Sequence, residues 1–167
     1  MSRFQAVHSE KHIADVVRLA REIWQEHYVP IIGQKQVDYM LERFQSRKAL
    51  VEQLGQSYEY YIITHRGQSV GYVAVVPDTG ESSLMISKIY VRKSKRGQHL
   101  GKSTLRFVER LCLKRGIRLL WLTVNKNNAD SIAWYIRMGF RNVGPTIQDI
   151  GGGFVMDDFR LEKTINK

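Results

Sequence analysis

The stretch from Leu84 to Val124 limits what this chain can fold into more than any other part of it. The apolar, partly β-branched run Leu84–Val91 leads into a basic loop, Arg92–Gly97. An amphipathic helix follows, with Gly101, Leu105, Val108, Leu111 and Cys112 on its inner face and Gly116 to end it. Ile117–Val124 is then apolar throughout and reads as a strand buried on both faces. Strand, helix, strand in that order calls for a right-handed crossover and one parallel strand pair.

The flanking pattern fills in the class. Phe4–His8 reads as a first strand. Ser9 is placed to cap a helix that carries Ile13, Val16, Val17, Ala20, Ile23 and Trp24 as far as about Glu26. Pro30 and Gly33 punctuate a break at His27–Gly33. Val37, Met40, Leu41 and Phe44 mark a second helix, and Ala49–Leu54 a short third. Tyr58–Thr64, Val70–Val76 and Leu84–Val91 are separated by turns at Arg66-Gly67 and Pro77–Gly80, which predicts an antiparallel meander. Beyond the crossover come a short helix, Ala129–Met138, closed by Gly139, and strands near Phe140–Ile147 and Phe154–Glu162. The fold class is α/β with a mixed, mostly antiparallel sheet. A chain of 167 residues suits a single domain.

Charge narrows the function. The net charge is +10, and the ten basic residues between Arg92 and Arg118, against Glu109 alone, carry most of it. Such a segment attracts an anion: nucleic acid, an acidic membrane surface or a phosphorylated ligand. It lacks interleaved exposed aromatics and helix-turn-helix geometry, so no nucleic acid partner is expected. A basic nucleic-acid-binding module is kept as the alternative. No apolar run reaches the ~18 residues of a membrane span, and Met1–Lys11 has no apolar signal core. Cys112 is the only cysteine, which forbids an internal disulfide and fits a cytoplasmic setting. No His/Cys/Asp spacing suggests a metal site.

The loop Arg96-Gly97-Gln98-His99-Leu100-Gly101-Lys102-Ser103 joins a strand to a helix, where unpaired N–H groups and the dipole favour phosphate. It is one residue short of a P-loop, with Arg96 where the first glycine belongs. The dinucleotide fingerprint lacks its third glycine. Arg96-x-x-His99-x-Gly101 instead resembles the Arg/Gln-x-x-Gly-x-Gly/Ala pyrophosphate loop of the GNAT superfamily of N-acetyltransferases. By itself it reads equally well as a basic helix cap. Downstream, Asn128, Ser131, Tyr135, Gly139 and Phe140 resemble that superfamily's second motif in register. The resemblance runs from about Leu84 to Phe140.

The resemblance implies one N-acetyltransferase domain over residues 1–167. Its sheet of about seven strands would be flanked by helices, with a splayed parallel pair forming the coenzyme A cleft. It implies acetyl-CoA as cofactor and a primary amine as acceptor: a small amine, a polyamine or a peptide amine. Carried over residue by residue, Ile89, Tyr90 and Val91 offer backbone to the pantetheine. The N–H groups of Gly97, Gln98, His99, Leu100, Gly101 and Lys102 cradle the pyrophosphate, with the charges of Arg96 and Lys102 nearby. Arg92, Lys93 and Lys95 meet the 3′-phosphate or steer the anion in. Asn128 and Ser131 sit beside the cofactor, and Tyr135 is the general acid for the leaving thiolate. His99 replaces the usual glycine and is expected in the first helical turn, its N–H still donating.

No general base is visible. Met85, Ser87 and Ile89, read as the inward positions of their strand, carry no carboxylate, which leaves Ser87 to hold a relaying water. The acceptor would be lined by Trp24, His27 and Tyr28 from the helix break, by Ser87, and by Asp157 from a glycine-rich loop that also carries Asp158. A CoA-binding sensor without catalysis is a further alternative. Family analogy allows a homodimer; no membrane partner is expected.

Overall fold

Ser9 starts the first helix as its hydroxyl predicts, accepting from the His12 amide at 3.2 Å. The computed structural model describes residues 2–166. In chain order it contains β1 (Ser2–Ala6), α1 (Glu10–Ile32), α2 (Gln34–Gln45), α3 (Arg47–Leu54), β2 (Glu59–His65), β3 (Gln68–Asp78), β4 (Ser83–Val91), α4 (Leu100–Arg115), β5 (Leu119–Asn125), α5 (Ala129–Arg137), β6 (Arg141–Gly151) and β7 (Phe154–Thr164). A short 3-10 turn, Lys93–Lys95, precedes α4.

The expected break at His27 is not there. Helix α1 runs on through Pro30 to Ile32 and stops at Gly33, whose φ of 85° only glycine adopts cheaply. Pro30 lies on the exposed face, so the carbonyl it leaves unpaired at Glu26 can turn to water. His27 and Tyr28 therefore sit on a helix rather than on a loop.

The described residues fall into two compact units. The first takes the chain up to Val76 together with Lys88–Arg106. There β1, β2 and β3 form an antiparallel ladder, and the end of β4 joins β3 through Arg92 N–H to the Val70 carbonyl at 2.8 Å. Ile13, Val16, Leu19, Ala20, Ile23 and Trp24 form the buried stripe of α1. A buried polar chain is fully paired: Trp24 Nε1 donates to Tyr72 Oη at 3.0 Å, and Tyr72 Oη to Gln45 Oε1 at 2.6 Å. Gln45 Nε2 then donates to Tyr60 Oη at 3.0 Å. Burial raises both phenols' pKa, so they stay neutral.

The second unit takes Pro77–Ser87 and the chain from Phe107 onward. Here β4 and β5 pair in parallel at Ser83↔Leu119, Leu84↔Leu120 and Met85↔Trp121. β5 pairs antiparallel with β7, and β7 with β6. Since β4 serves both units, the strand order reads β1-β2-β3-β4-β5-β7-β6. That is the mixed, mostly antiparallel seven-stranded arrangement with the expected parallel pair.

Three strand readings need correction. β5 is not buried on both faces: Leu120, Leu122 and Val124 are buried, while Trp121, Thr123 and Asn125 are half-exposed. In β4 the core takes Leu84 and Ile86, leaving Met85 and Ser87 half-buried. The last strand begins at Phe154 as expected, but β6 runs past Ile147 to Gly151, so the glycine-rich loop is a tight hairpin. Positive φ at Gly151, Gly152 and Gly153 lets the chain reverse in so few residues. Asp157 and Asp158 lie on β7, within the strand expected near Phe154–Glu162, and not on the glycine-rich loop.

Candidate active site

The loop ahead of α4 is built by local backbone geometry. Lys95 N–H bonds the Arg92 carbonyl at 2.9 Å and Arg96 N–H the Lys93 carbonyl at 3.2 Å, which winds the entry into the 3-10 turn. Gly97 then has φ 80° and His99 φ 59°. The first bond of α4 runs from Ser103 N–H to the His99 carbonyl at 2.9 Å, so the N–H groups of Leu100, Gly101 and Lys102 have no partner within the helix. A left-handed residue followed by right-handed helix turns successive N–H groups toward one side, the geometry of an anion nest.

His99 thus corrects its expectation. It sits in the left-handed region just before the helix, not in the first helical turn. The backbone keeps the shape a glycine would give it, and histidine bears the steric cost. Leu100 anchors the loop from below, packed with Ile63, Val70, Phe4 and Val91. Gly97, Gln98 and the His99 side chain stand exposed above it.

In the same unit, α1 and the end of β4 meet through aromatic rings. The Tyr28 and Tyr90 hydroxyls lie 2.8 Å apart. The Trp24 ring packs edge-on against Tyr28 at 5.4 Å and Tyr90 at 5.5 Å, and His27 against Tyr28 at 4.7 Å. Trp24 is only 2% exposed with its N–H spent on Tyr72, so it supports Tyr28 and Tyr90 from behind. Burial, and then the Arg96 charge, lower the His27 pKa and keep it neutral near pH 7. Arg92 is held by Glu22 at 3.0 Å, which leaves Lys93 and Lys95 as the more accessible cations beside Arg96. Lys88, one residue before Ile89, is pushed down to about 8 by burial, its ammonium 5.7 Å from the Tyr58 ring centroid.

The second unit holds the remaining candidates. The β4–β5 ladder stops at Met85↔Trp121 although both strands continue, so Ser87 and Thr123 lie beyond the last parallel pair. Asn128 is the buried residue that opens α5; its carbonyl accepts from Ile132 at 3.0 Å and its N–H donates to Asn125 at 2.9 Å. One turn on is half-buried Ser131, and one further Tyr135, 8% exposed, with its ring 5.5 Å from that of Phe140. Asp157 is half-exposed and paired with Lys126 at 2.8 Å. Asp158, its neighbour, is 4% exposed and accepts a hydrogen bond from Thr123. Burial pushes its carboxyl up to about 6.

This geometry has counterparts. A family model described as the acetyltransferase (GNAT) family matches residues 17–140, a span that includes α4, its loop and α5. This chain belongs to the GNAT family. It is an acyltransferase, and the cofactor of the family is acetyl-CoA. The spermidine N(1)-acetyltransferase of Thermoplasma acidophilum is 21% identical over 160 residues, covering 93% of this chain and 92% of that one. The ribosomal protein bS18-alanine N-acetyltransferase of Escherichia coli is 30% identical over 107 residues, covering 60% and 71%. Among solved structures, the PaiA N-acetyltransferase of Thermoplasma acidophilum in complex with coenzyme A superposes with a TM-score of 0.78 at 18% identity, over 97% of this chain and 99% of that one.

Against that GNAT frame, the residue sequence reading undervalued is Asp158, noted only as a neighbour of Asp157. Its place on a strand near Phe154–Glu162 is legible, but its burial is not, because that depends on what packs against β7. Thr123 carried no signal, because its partner is thirty-five positions away and reached only through β5–β7 pairing. Cys112 is fully buried and its thiol is pushed up to about 11, which suits packing and not nucleophilic catalysis.

Proposed function

We propose that this GNAT enzyme transfers acetyl from acetyl-CoA to the primary amine of a small amine, polyamine or peptide by direct attack. The observation that carries the proposal is the loop at Arg96–Lys102, whose N–H groups open a helix without a partner in it, with the charges of Arg96 and Lys102 on the loop. An anion nest backed by charge fits a pyrophosphate. The backbone of Ile89, Tyr90 and Val91 would hold the pantetheine, and Asn128 and Ser131 are proposed cofactor contacts from the second unit. His27 and Tyr28 in the first unit, and Ser87 and Asp157 in the second, are proposed acceptor contacts; Trp24, expected among them, is buried behind Tyr28 and supports it instead.

When bound, acetyl-CoA supplies an activated thioester carbonyl. The chain's own residues then have three tasks. Backbone N–H groups near Ile89 would stabilise the negative charge that develops on the thioester carbonyl oxygen. Tyr135, a phenol with a reference pKa of ~10, donates a proton to a leaving thiolate whose conjugate thiol has a pKa of ~8.5. Tyr28 and Tyr90, held by each other's hydroxyls, offer aromatic faces to a cationic acceptor.

A thermal-shift titration tests the reading, comparing acetyl-CoA with ATP and a short oligonucleotide. Selective stabilisation by acetyl-CoA is expected, about 2.7 kcal/mol at 100 times Kd. Tyr135→Phe should keep that shift and lose acetylation of a primary-amine panel by about 100-fold or more. Full turnover in Tyr135→Phe would remove the general-acid role, and a response to the oligonucleotide alone would overturn the enzyme reading.

A further inference from the structure

The acetyltransferase reading leaves one chemical gap, a group to take the proton of the acceptor ammonium. β4 supplies no carboxylate at Met85, Ser87 or Ile89. The second unit holds a carboxylate two strands further across the sheet, on β7 beyond β5. Resting on the function proposed above, we infer that Thr123 and Asp158 act as a proton-accepting pair: the half-buried Thr123 hydroxyl meets the acceptor ammonium, and the buried Asp158 carboxylate behind it receives the proton.

Three observations support the pair. Thr123 lies two residues past Trp121, where the parallel ladder with β4 ends, so it flanks the stretch in which β4 and β5 no longer pair. Its hydroxyl donates to Asp158, joining a half-buried residue to a buried carboxylate. Asp158 sits opposite Asn125 on β5 and Thr146 on β6, neither of which is charged, so no cation neutralises it from a register position. The charged groups around it are otherwise engaged. Lys126 pairs with Asp157, and Arg160 pairs with Glu162 while lying 3.9 Å over the Trp121 ring. Asp157, a like charge, adds to the cost of ionising Asp158. A carboxylate kept short of cations and water is a better base than an exposed one, and a value of about 6 places it near the optimum for a base at neutral pH.

The step balances. Thr123 passes its proton to Asp158 and takes one from the ammonium, which leaves a neutral amine and a neutral Asp158. The amine nitrogen forms the N–C bond, and the thioester C–S bond breaks. The thiolate is protonated from Tyr135, which recovers its proton from the new amide nitrogen. Asp158 then releases its proton to solvent.

The test compares the wild-type chain with Asp158→Asn, Thr123→Val and Thr123→Ser. Thiol release is followed from pH 5 to 9 with whichever of spermidine or an N-terminal-alanine peptide turns over faster. Acetyl-CoA binding and melting temperature are measured in parallel. Asp158→Asn should lose about 100-fold or more in kcat, abolish the acidic limb near pH 6, and keep the acetyl-CoA thermal shift. Thr123→Val should move that limb to higher pH, because the lost hydrogen bond favoured the charged carboxylate. Thr123→Ser should restore it. A folded Asp158→Asn that turns over within threefold of wild type, or keeps the acidic limb, overturns the pair while leaving the acetyltransferase reading intact. A wild-type chain that acetyl-CoA does not stabilise overturns that reading, and the pair with it.

Discussion

Gly71→Ala would test whether β3 and the end of β4 are as closely fitted as the structure shows. A Cβ on Gly71 would lie 2.1 Å from the Tyr90 carbonyl oxygen and 3.0 Å from the Val91 Cα. Both obstacles are backbone, so no side chain can swing away. Clearing the oxygen requires the strands to part by roughly 1 Å from a normal spacing of ~4.8 Å. The neighbouring bond from Arg92 N–H to the Val70 carbonyl starts at 2.8 Å and would stretch past any useful length. One or two such bonds are worth about 1 kcal/mol each, and forced overpacking adds about 1–3 kcal/mol. Removing a strand glycine returns about 0.5–1 kcal/mol. The net loss is about 1–4.5 kcal/mol, or roughly 2–18 °C in melting temperature for a chain of this size. Thermal and urea melts would read it, with Gly80→Ala as control, since a Cβ there meets only the Asp78 carboxylate at an ordinary 3.4 Å. Because Tyr90 belongs to the proposed pantetheine strand, stabilisation by acetyl-CoA should shrink in Gly71→Ala as well. A Gly71→Ala protein melting within 2 °C of wild type would refute the fit.

Other outcomes follow from the same coordinates. His99→Gly should relieve about 1–2 kcal/mol of left-handed strain and give back about 0.5–1 kcal/mol in unfolded-chain entropy, so its melting temperature should equal or slightly exceed that of wild type; a clear drop would deny the strain. Asp158→Asn should raise the melting temperature above pH 7 and leave it unchanged near pH 4. The sign follows from a folded pKa of about 6, above the unfolded value, so the carboxyl opposes folding as pH rises from about 4 to 6. The full difference is worth about 3 kcal/mol at most, and a pH-independent effect would count against burial as its cause. Cys112 should resist a thiol reagent at pH 8 in the native chain and react at once on unfolding; fast native labelling would contradict its burial.

What the sequence determined is the set of local signals. Ser9 fixes a helix start because a hydroxyl can cap an amide three residues on, and aromatic and β-branched stretches between the turns at Arg66-Gly67 and Pro77–Gly80 mark the meander. The loop Arg96–Lys102 and the spacing of Asn128, Ser131 and Tyr135 were legible for the same reason: each is a short-range pattern of residue types. Local signals also misled where tertiary context outweighed them. Pro30 reads as a breaker, yet α1 continues past it because only a solvent-facing carbonyl is left unpaired. His99 reads as a helical residue, yet the turn from Gly97 holds it left-handed. The Tyr28–Tyr90 contact joins residues 62 positions apart, and the Thr123–Asp158 contact depends on strand register. Which hydroxyl meets which carboxylate is decided by pairing across the sheet, and the chain closes those long loops only when the whole core forms.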